Sequence, residues 1–259
     1  MLAVFIRDSA VKLFGLAAKL GLQRLPLFNR AFLALYPVYK QYLEAGPIDR
    51  LREFVPAGSL VIDVGANVGF FSLRFAKWVG DRGKVIAIEP EDRNHVRLVE
   101  AVARQGASGR VDALKAVAAA TRGEMFLEIN PAHPADHRVS RDGAGLPVSA
   151  VTLDQLSQDN PALRLALVKI DVQGAEMMVL KGAGRILKDP KPALFIELSE
   201  EGLGRFGSSV DEILQHLTGS GYAAFWLMPA GPHVRALEAD IHAMVGLHGY
   251  VDVLFLKAV

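Results

Sequence analysis

An α/β fold, with a mostly parallel sheet covered by helices on both faces, is what this 259-residue sequence predicts. Three observations predict it. Short apolar runs alternate with helical stretches from residue 59 onward, a glycine-rich turn follows the first run, and an acid ends the second. Such alternation reads as βαβ units, because strands buried on both faces are apolar throughout. The length suits one large domain with an added N-terminal segment. A hydrophobic fraction of 51% with a net charge of +1 excludes a disordered chain. That near-neutral charge also gives no electrostatic footprint for nucleic acid. There is no cysteine, hence no disulfide, thiolate nucleophile or cysteine-based zinc site. A reducing compartment is permitted, and the cytoplasm is the expected location.

Residues 1–45 read as a helical extension and residues 46–259 as the main domain. In the extension Leu2, Phe5, Ile6, Leu13, Leu16, Ala17 and Leu20 fall on one helical face, with Lys12 and Lys19 beside it, until Pro26 ends the pattern. A second helical stretch runs from Asn29 to Glu44, interrupted by Pro37. No apolar run reaches the roughly 18 residues of a membrane span, and the features of a signal peptide are missing. The first helix either packs on the domain or on a second subunit of a homodimer, or makes peripheral contact with a membrane.

In the main domain the apolar runs are 60–64, 85–88, 165–170 and 193–197, with two more strands at 223–227 and 251–256. Helical stretches fall at 70–79, 93–105, 177–187 and 210–220. Strand pieces at 125–129 and 147–150 flank a polar loop, 130–145, that interrupts the rhythm.

The clearest local signal is the run from Val61 to Ser72, where an apolar strand enters a turn with Gly65, Ala66, Asn67 and Gly69 before a helix. Glycines let backbone and ligand approach closely. Ligands of open α/β sheets bind beyond the carboxyl ends of strands, where this turn lies. The spacing differs from G-x-G-x-x-G, since Asn67 occupies the second glycine position. A polar side chain there would obstruct a pyrophosphate but could hydrogen-bond an amino-acid moiety. Asp63 agrees, as it would repel phosphates and attract an ammonium group. Glu89, ending the second strand before Pro90, is placed to accept from both hydroxyls of a ribose.

Together these residues resemble the FkbM-type methyltransferases. The resemblance rests on the run from Asp63 to Gly69, on Glu89-Pro90, and most distinctively on Lys169-Ile170-Asp171-Val172-Gln173-Gly174-Ala175-Glu176. Asp136-His137-Arg138 is similar to a segment of one bacterial subset. The resemblance implies a class I methyltransferase (Rossmann-like) fold: a seven-stranded, mostly parallel sheet with an antiparallel last strand. It implies S-adenosylmethionine as donor, held by Asp63, Gly65, Ala66, Asn67, Gly69, Ser72, Glu89 and Pro90, and usually a hydroxyl acceptor. A sugar, a glycolipid or a secondary metabolite would supply that hydroxyl. Two positions depart from the pattern: Gln173 stands where Glu is frequent, and Lys115 where Asn is expected near the adenine.

Methyl transfer to a hydroxyl needs alignment and a proton acceptor. Asp171 ends its strand at the carboxyl edge, and Glu176 follows at the next helix start. His137 has an ordinary pKa of about 6.5, which suits proton removal at neutral pH. Asp136 would orient it, and Arg138 would hold an anionic or sugar substrate. Glu197 ends the following strand at the same edge. Lys169 is read as pointing to its strand's other face. Asp171, Glu176 and Glu197 could take a divalent cation through oxygens, but nothing requires one. Two other classes remain open at this point: a nicotinamide-dependent oxidoreductase, and a non-enzymatic binding module for a partner or a membrane.

Overall fold

The computed structural model describes residues 48–128, the backbone of residues 138–139, and residues 145–258. The helices expected before residue 45, and the boundary between extension and domain, lie outside these. Two compact units are distinguished. The smaller is described at 48–51 and 227–232, where Arg50 donates to the carbonyls of Met228 (3.3 Å) and Gly231 (2.9 Å). The larger, 52–226 with 233–258, carries the α/β fold.

Chain order in the larger unit runs β1 Leu60–Val64, α1 Phe70–Val79, β2 Lys84–Ile88, α2 Asp92–Arg104 and β3 Val111–Leu114. It continues through β4 Ala116–Ala118, β5 Gly123–Glu128, β6 Arg138–Val139, β7 Leu146–Val151 and α3 Leu153–Gln158. Then come β8 Leu165–Ile170, α4 Glu176–Lys181, β9 Ala193–Leu198, α5 Glu200–Arg205 and α6 Val210–Gly219. The last elements are β10 Tyr222–Trp226, β11 Val234–Arg235, α7 Glu238–His248 and β12 Val251–Lys257.

The main sheet has the order β11-β10-β12-β9-β8-β1-β2-β3. β8 and β9 lie to one side of β1, β2 and β3 to the other, all parallel to it. The last strand, β12, is antiparallel to both β9 and β10, as the resemblance implied. One refinement to the seven-strand expectation is β11, a two-residue strand added at the edge beyond β10. Every residue of β1 is buried, which is what a central parallel strand with helices on both faces requires. Its Leu60, Ile62 and Val64 pack in one core with Val168 and Ile170 of β8 and Ile196 of β9.

The irregular stretch forms a second sheet, β4-β7-β5-β6. β5 and β7 are the expected strand pieces, paired antiparallel around the polar loop. The helix expected over 177–187 stops at Lys181. Gly182 follows it, where a Cβ would collide with the carbonyl of Ala119, so a bare backbone is needed at this crossing. No helix among the described residues is long and apolar enough to cross a membrane.

Candidate active site

Because β2 and β8 flank β1 on opposite sides, the sheet's chain direction of growth reverses between β1 and β8. Open α/β sheets bind ligands at such a switch point. The glycine turn leaves β1 there. Gly65 (φ 76°), Asn67 (φ 49°) and Gly69 (φ 91°) all have left-handed backbone. Asparagine is among the few side chains that tolerate this region. Four of the turn's N–H groups are engaged internally. Those of Gly65 and Ala66 donate to the carbonyl of Ile88 (3.0 and 2.9 Å), and that of Gly69 to Ala66 (2.9 Å). The N–H of Asn67 donates to Glu89 Oε2 (2.8 Å). A pyrophosphate needs such donors pointing at it, and these four are already committed.

The two glycines have different jobs. A Cβ on Gly65 would collide with the carbonyl of Asp171, so glycine here lets the turn and the end of β8 touch. A Cβ on Gly69 would meet Leu98 Cδ1 of α2 at 2.8 Å. Gly69 is buried, and its lack of a side chain lets the turn pack against α2.

Glu89 is 5% exposed. Oε2 accepts from Asn67, and Oε1 accepts from the N–H of Glu91 (3.0 Å). A carboxylate has about four lone-pair sites, so each oxygen keeps one for a ligand hydroxyl. Burial pushes its pKa from 4.5 up to about 7, against the pull of the Glu91 and Asn67 N–H groups and of Lys169. Glu91, which the motif reading passed over, caps α2 through Asn94 N (2.7 Å).

Asp63 and Ser72 turn inward. Asp63 is 0% exposed, and the Ser72 hydroxyl donates to its Oδ2 at 2.6 Å. The ammonium beside Asp63 Oδ1 belongs to Lys169, at 3.4 Å. The two side chains are thus bonded to each other and, through Asp63, to Lys169 beneath the turn. Lys169 does not point away from Asp171 either, as its Nζ lies 3.6 Å from Asp171 Oδ2. Strand positions two apart share a face, a signal the sequence did contain.

Asp171 stands at the carboxyl edge with its side chain 24% exposed. The amide nitrogen of Gln173 donates to Asp171 Oδ1 (2.9 Å) and Glu197 Oε1 (3.1 Å), tying two carboxylates together. Gln173 does this from left-handed backbone (φ 55°). Glu176 is placed differently from the expectation of a substrate-facing acid. It is 2% exposed, and its Oε1 accepts from the N–H groups of Val172 (3.2 Å) and Gly174 (3.0 Å). It holds the loop that carries Asp171 and Gln173. Burial pushes its pKa from 4.5 to about 7.

The raised values have a consequence for stability. Each acid binds its proton more tightly folded than unfolded, so the unfolded chain ionises first as pH rises. Stability is full below about pH 4.5 and declines up to about 7, by about 3 kcal/mol for Glu176. The unliganded protein should accordingly melt at falling temperature from pH 5 to 7.5. Glu176→Gln, which keeps the Oε1 acceptor without the charge, should flatten that slope in thermal scans. Parallel slopes in the two proteins would contradict the assignment.

Other expected site residues fall elsewhere. Asp136 and His137 lie outside the described residues. Arg138 is described by its backbone alone, paired with Glu128 across β5 and β6. Lys115 forms an exposed ion pair with Asp92. Among the described residues, Asp171, Glu176 and Glu197 do not gather as a cation site: Gln173 separates the first from the third, and Glu176 faces inward. The one group with suitable ligand spacing among those residues is Asp211, Glu238 and His242, all exposed and sharing no member with this edge.

Comparison with known proteins gives consistent matches. The family described as Methyltransferase FkbM domain matches residues 63–224. Hexuronic acid methyltransferase AglP of Haloferax volcanii is 30% identical over 146 residues, or 56% of this chain. The match spans 58% of that relative's length. Among solved structures, the FkbM methyltransferase of Methylobacillus flagellatus is 18% identical with a TM-score of 0.49, over 78% of this chain and 44% of that one. The precorrin-6y C5,15-methyltransferase of Geobacter metallireducens is 13% identical with a TM-score of 0.48, over 84% and 88%.

Proposed function

Since the chain belongs to the FkbM methyltransferase family, we propose that it transfers the methyl group of S-adenosylmethionine to a hydroxyl of a sugar-bearing acceptor. The observation that carries this reading is the pairing of Glu89 with a turn whose N–H groups are engaged. Together they suit a ribose diol joined to a tail without phosphate, and disfavour a nicotinamide dinucleotide. When bound, the donor supplies an electrophilic methyl with its own leaving group.

The chain's residues divide the remaining work. Glu89 accepts from the ribose hydroxyls. Gly65, Ala66, Asn67 and Pro90 shape the wall of the donor site, and Gly69, Asp63 and Ser72 support it. Asp171 would take the proton of the acceptor hydroxyl as that oxygen is methylated. His137 is the alternative proton acceptor. Glu176 keeps the Asp171 loop in place. Residues 1–45 form an appended helical extension to the 46–259 domain in this reading, and the chemistry so written requires no metal.

The curated relative is named for a hexuronic acid, which guides the choice of acceptor. Arg138 would pair with the carboxylate of such a sugar, because guanidinium and carboxylate match as a fork, while Asp136 would orient His137. Radiolabelled donor should methylate a glucuronate-terminated glycan well above its glucose-terminated counterpart, and Arg138→Ala should reduce that preference about tenfold or more. Equal labelling of both glycans by wild-type protein would remove the hexuronate from the proposal. Failure to label any hydroxylated acceptor, with donor still bound, would remove the sugar class.

A further inference from the structure

The buried lysine between the two loops of the site has a role that the proposed reaction does not use. Lys169 is 3% exposed and sits in β8 as the register partner of Asp63 in β1. Its Nζ donates to the carbonyls of Gly65 (2.9 Å) and Val64 (3.3 Å), the first residue of the turn and the last of β1. The same nitrogen pairs with Asp63 Oδ1 (3.4 Å) and Asp171 Oδ2 (3.6 Å), and lies 5.2 Å from the centre of the Phe71 ring. Two further contacts join the same segments: Asp171 N donates to the Val64 carbonyl (3.2 Å), and Gly65 lies against the carbonyl of Asp171.

An ammonium so deeply buried is costly unless it is paired and hydrogen-bonded. A neutral residue would fill the space with less penalty if packing were its only task. What the charge does here is geometric. It draws the Val64 and Gly65 carbonyls inward, which sets the peptide planes of the turn. It also balances Asp63 beneath and Asp171 at the edge.

We propose that Lys169 is a positioning residue that holds the donor-binding turn and the Asp171 loop as one rigid unit. It touches neither donor nor acceptor. The inference rests on the reading of this edge as the donor site, and its test separates the two.

The test measures the affinity of S-adenosylhomocysteine by calorimetry, alongside melting temperature, in the full chain. Lys169→Met removes the charge and keeps the length. A companion, Lys169→Met with Asp63→Asn, also removes the buried carboxylate left unpaired. The expected result is a double variant melting close to the wild type but binding about tenfold or more weakly, since the turn carbonyls have lost a charged donor. The lysine's charge should also matter to Asp171, so Lys169→Met should move the acidic limb of the turnover profile to higher pH. A purely structural lysine would give a different pattern, with affinity recovering together with melting temperature in the double variant. That result, or wild-type affinity in a folded single variant, would overturn the proposal. Failure of both Met variants to fold would also overturn it, placing Lys169 in the fold alone. Wild-type protein that does not bind S-adenosylhomocysteine would instead overturn the donor-site reading beneath it.

Discussion

Asp171→Asn is expected to lower methyl transfer by roughly 10²–10⁴-fold, the usual loss when a general base is removed, while leaving donor affinity nearly intact. Asparagine matches aspartate in shape, so the loop should keep its course, held by Glu176 through Val172 and Gly174. What is lost is the capacity to take a proton at the one partly exposed carboxylate that the Gln173 amide and the Lys169 ammonium both steady. Single-turnover transfer of a labelled methyl group, read beside calorimetric donor affinity, separates the two effects. Full transfer in the asparagine variant would shift the proton acceptor to His137. A parallel loss of affinity would instead mark Asp171 as part of the donor wall.

Glu89→Ala is expected to weaken donor binding ten- to a hundredfold, corresponding to about 1.5–3 kcal/mol for a lost charged hydrogen-bond pair. The variant also strips two N–H groups, of Asn67 and Glu91, of their acceptor, so the turn itself should loosen. Glu89→Gln isolates the charge, because its amide oxygen still accepts from one of them. The pH dependence is a further signature. With its pKa pushed up to about 7 by burial, Glu89 must shed a proton to accept from two hydroxyls. Affinity should therefore fall as pH drops below about 7, by up to tenfold per pH unit. The alanine variant should lack that dependence. Wild-type affinity in a folded Glu89→Ala protein would dismiss the donor site as described.

Much of this architecture was legible in the residues. Continuous apolar runs marked β1, β2, β8 and β9, because strands covered on both faces leave no polar alternation to hide them. The turn after β1 and the acid after β2 were legible for the same reason, as polar and glycine residues interrupting those runs. Short elements were not. α3 and α5 have six residues each, and α5 contains Gly202 and Gly204. Their signals were the caps Thr152 and Ser199, which accept from Gln155 N and Gly202 N. A cap without a long apolar period beyond it is easily passed over.

Within the site, residue types were easier to read than directions. Asp63, Ser72 and Glu176 are polar residues at the right edge, yet each faces inward, and only the three-dimensional partner reveals this. For Asp63 the partner is Lys169, separated by more than a hundred residues in sequence and adjacent only because β8 pairs with β1. Gln173 is similar: its amide reaches Glu197 on β9 because Gly174 lets the loop pass against the backbone of Gly202.

The engaged N–H groups of the glycine turn bear on how the protein would fare in a mixture of metabolites. ATP, NAD and coenzyme A share with the methyl donor an adenine and a ribose, and an acid such as Glu89 has little means of telling those halves apart. Discrimination must then come from the other end of each molecule. The amides of Gly65, Ala66 and Asn67, already satisfied by Ile88 and Glu89, offer a phosphate little compensation for the water it would lose. On the proposed reading, abundant nucleotides would be disfavoured by what the backbone withholds as well as by Asn67, and the donor need not outcompete them by affinity alone.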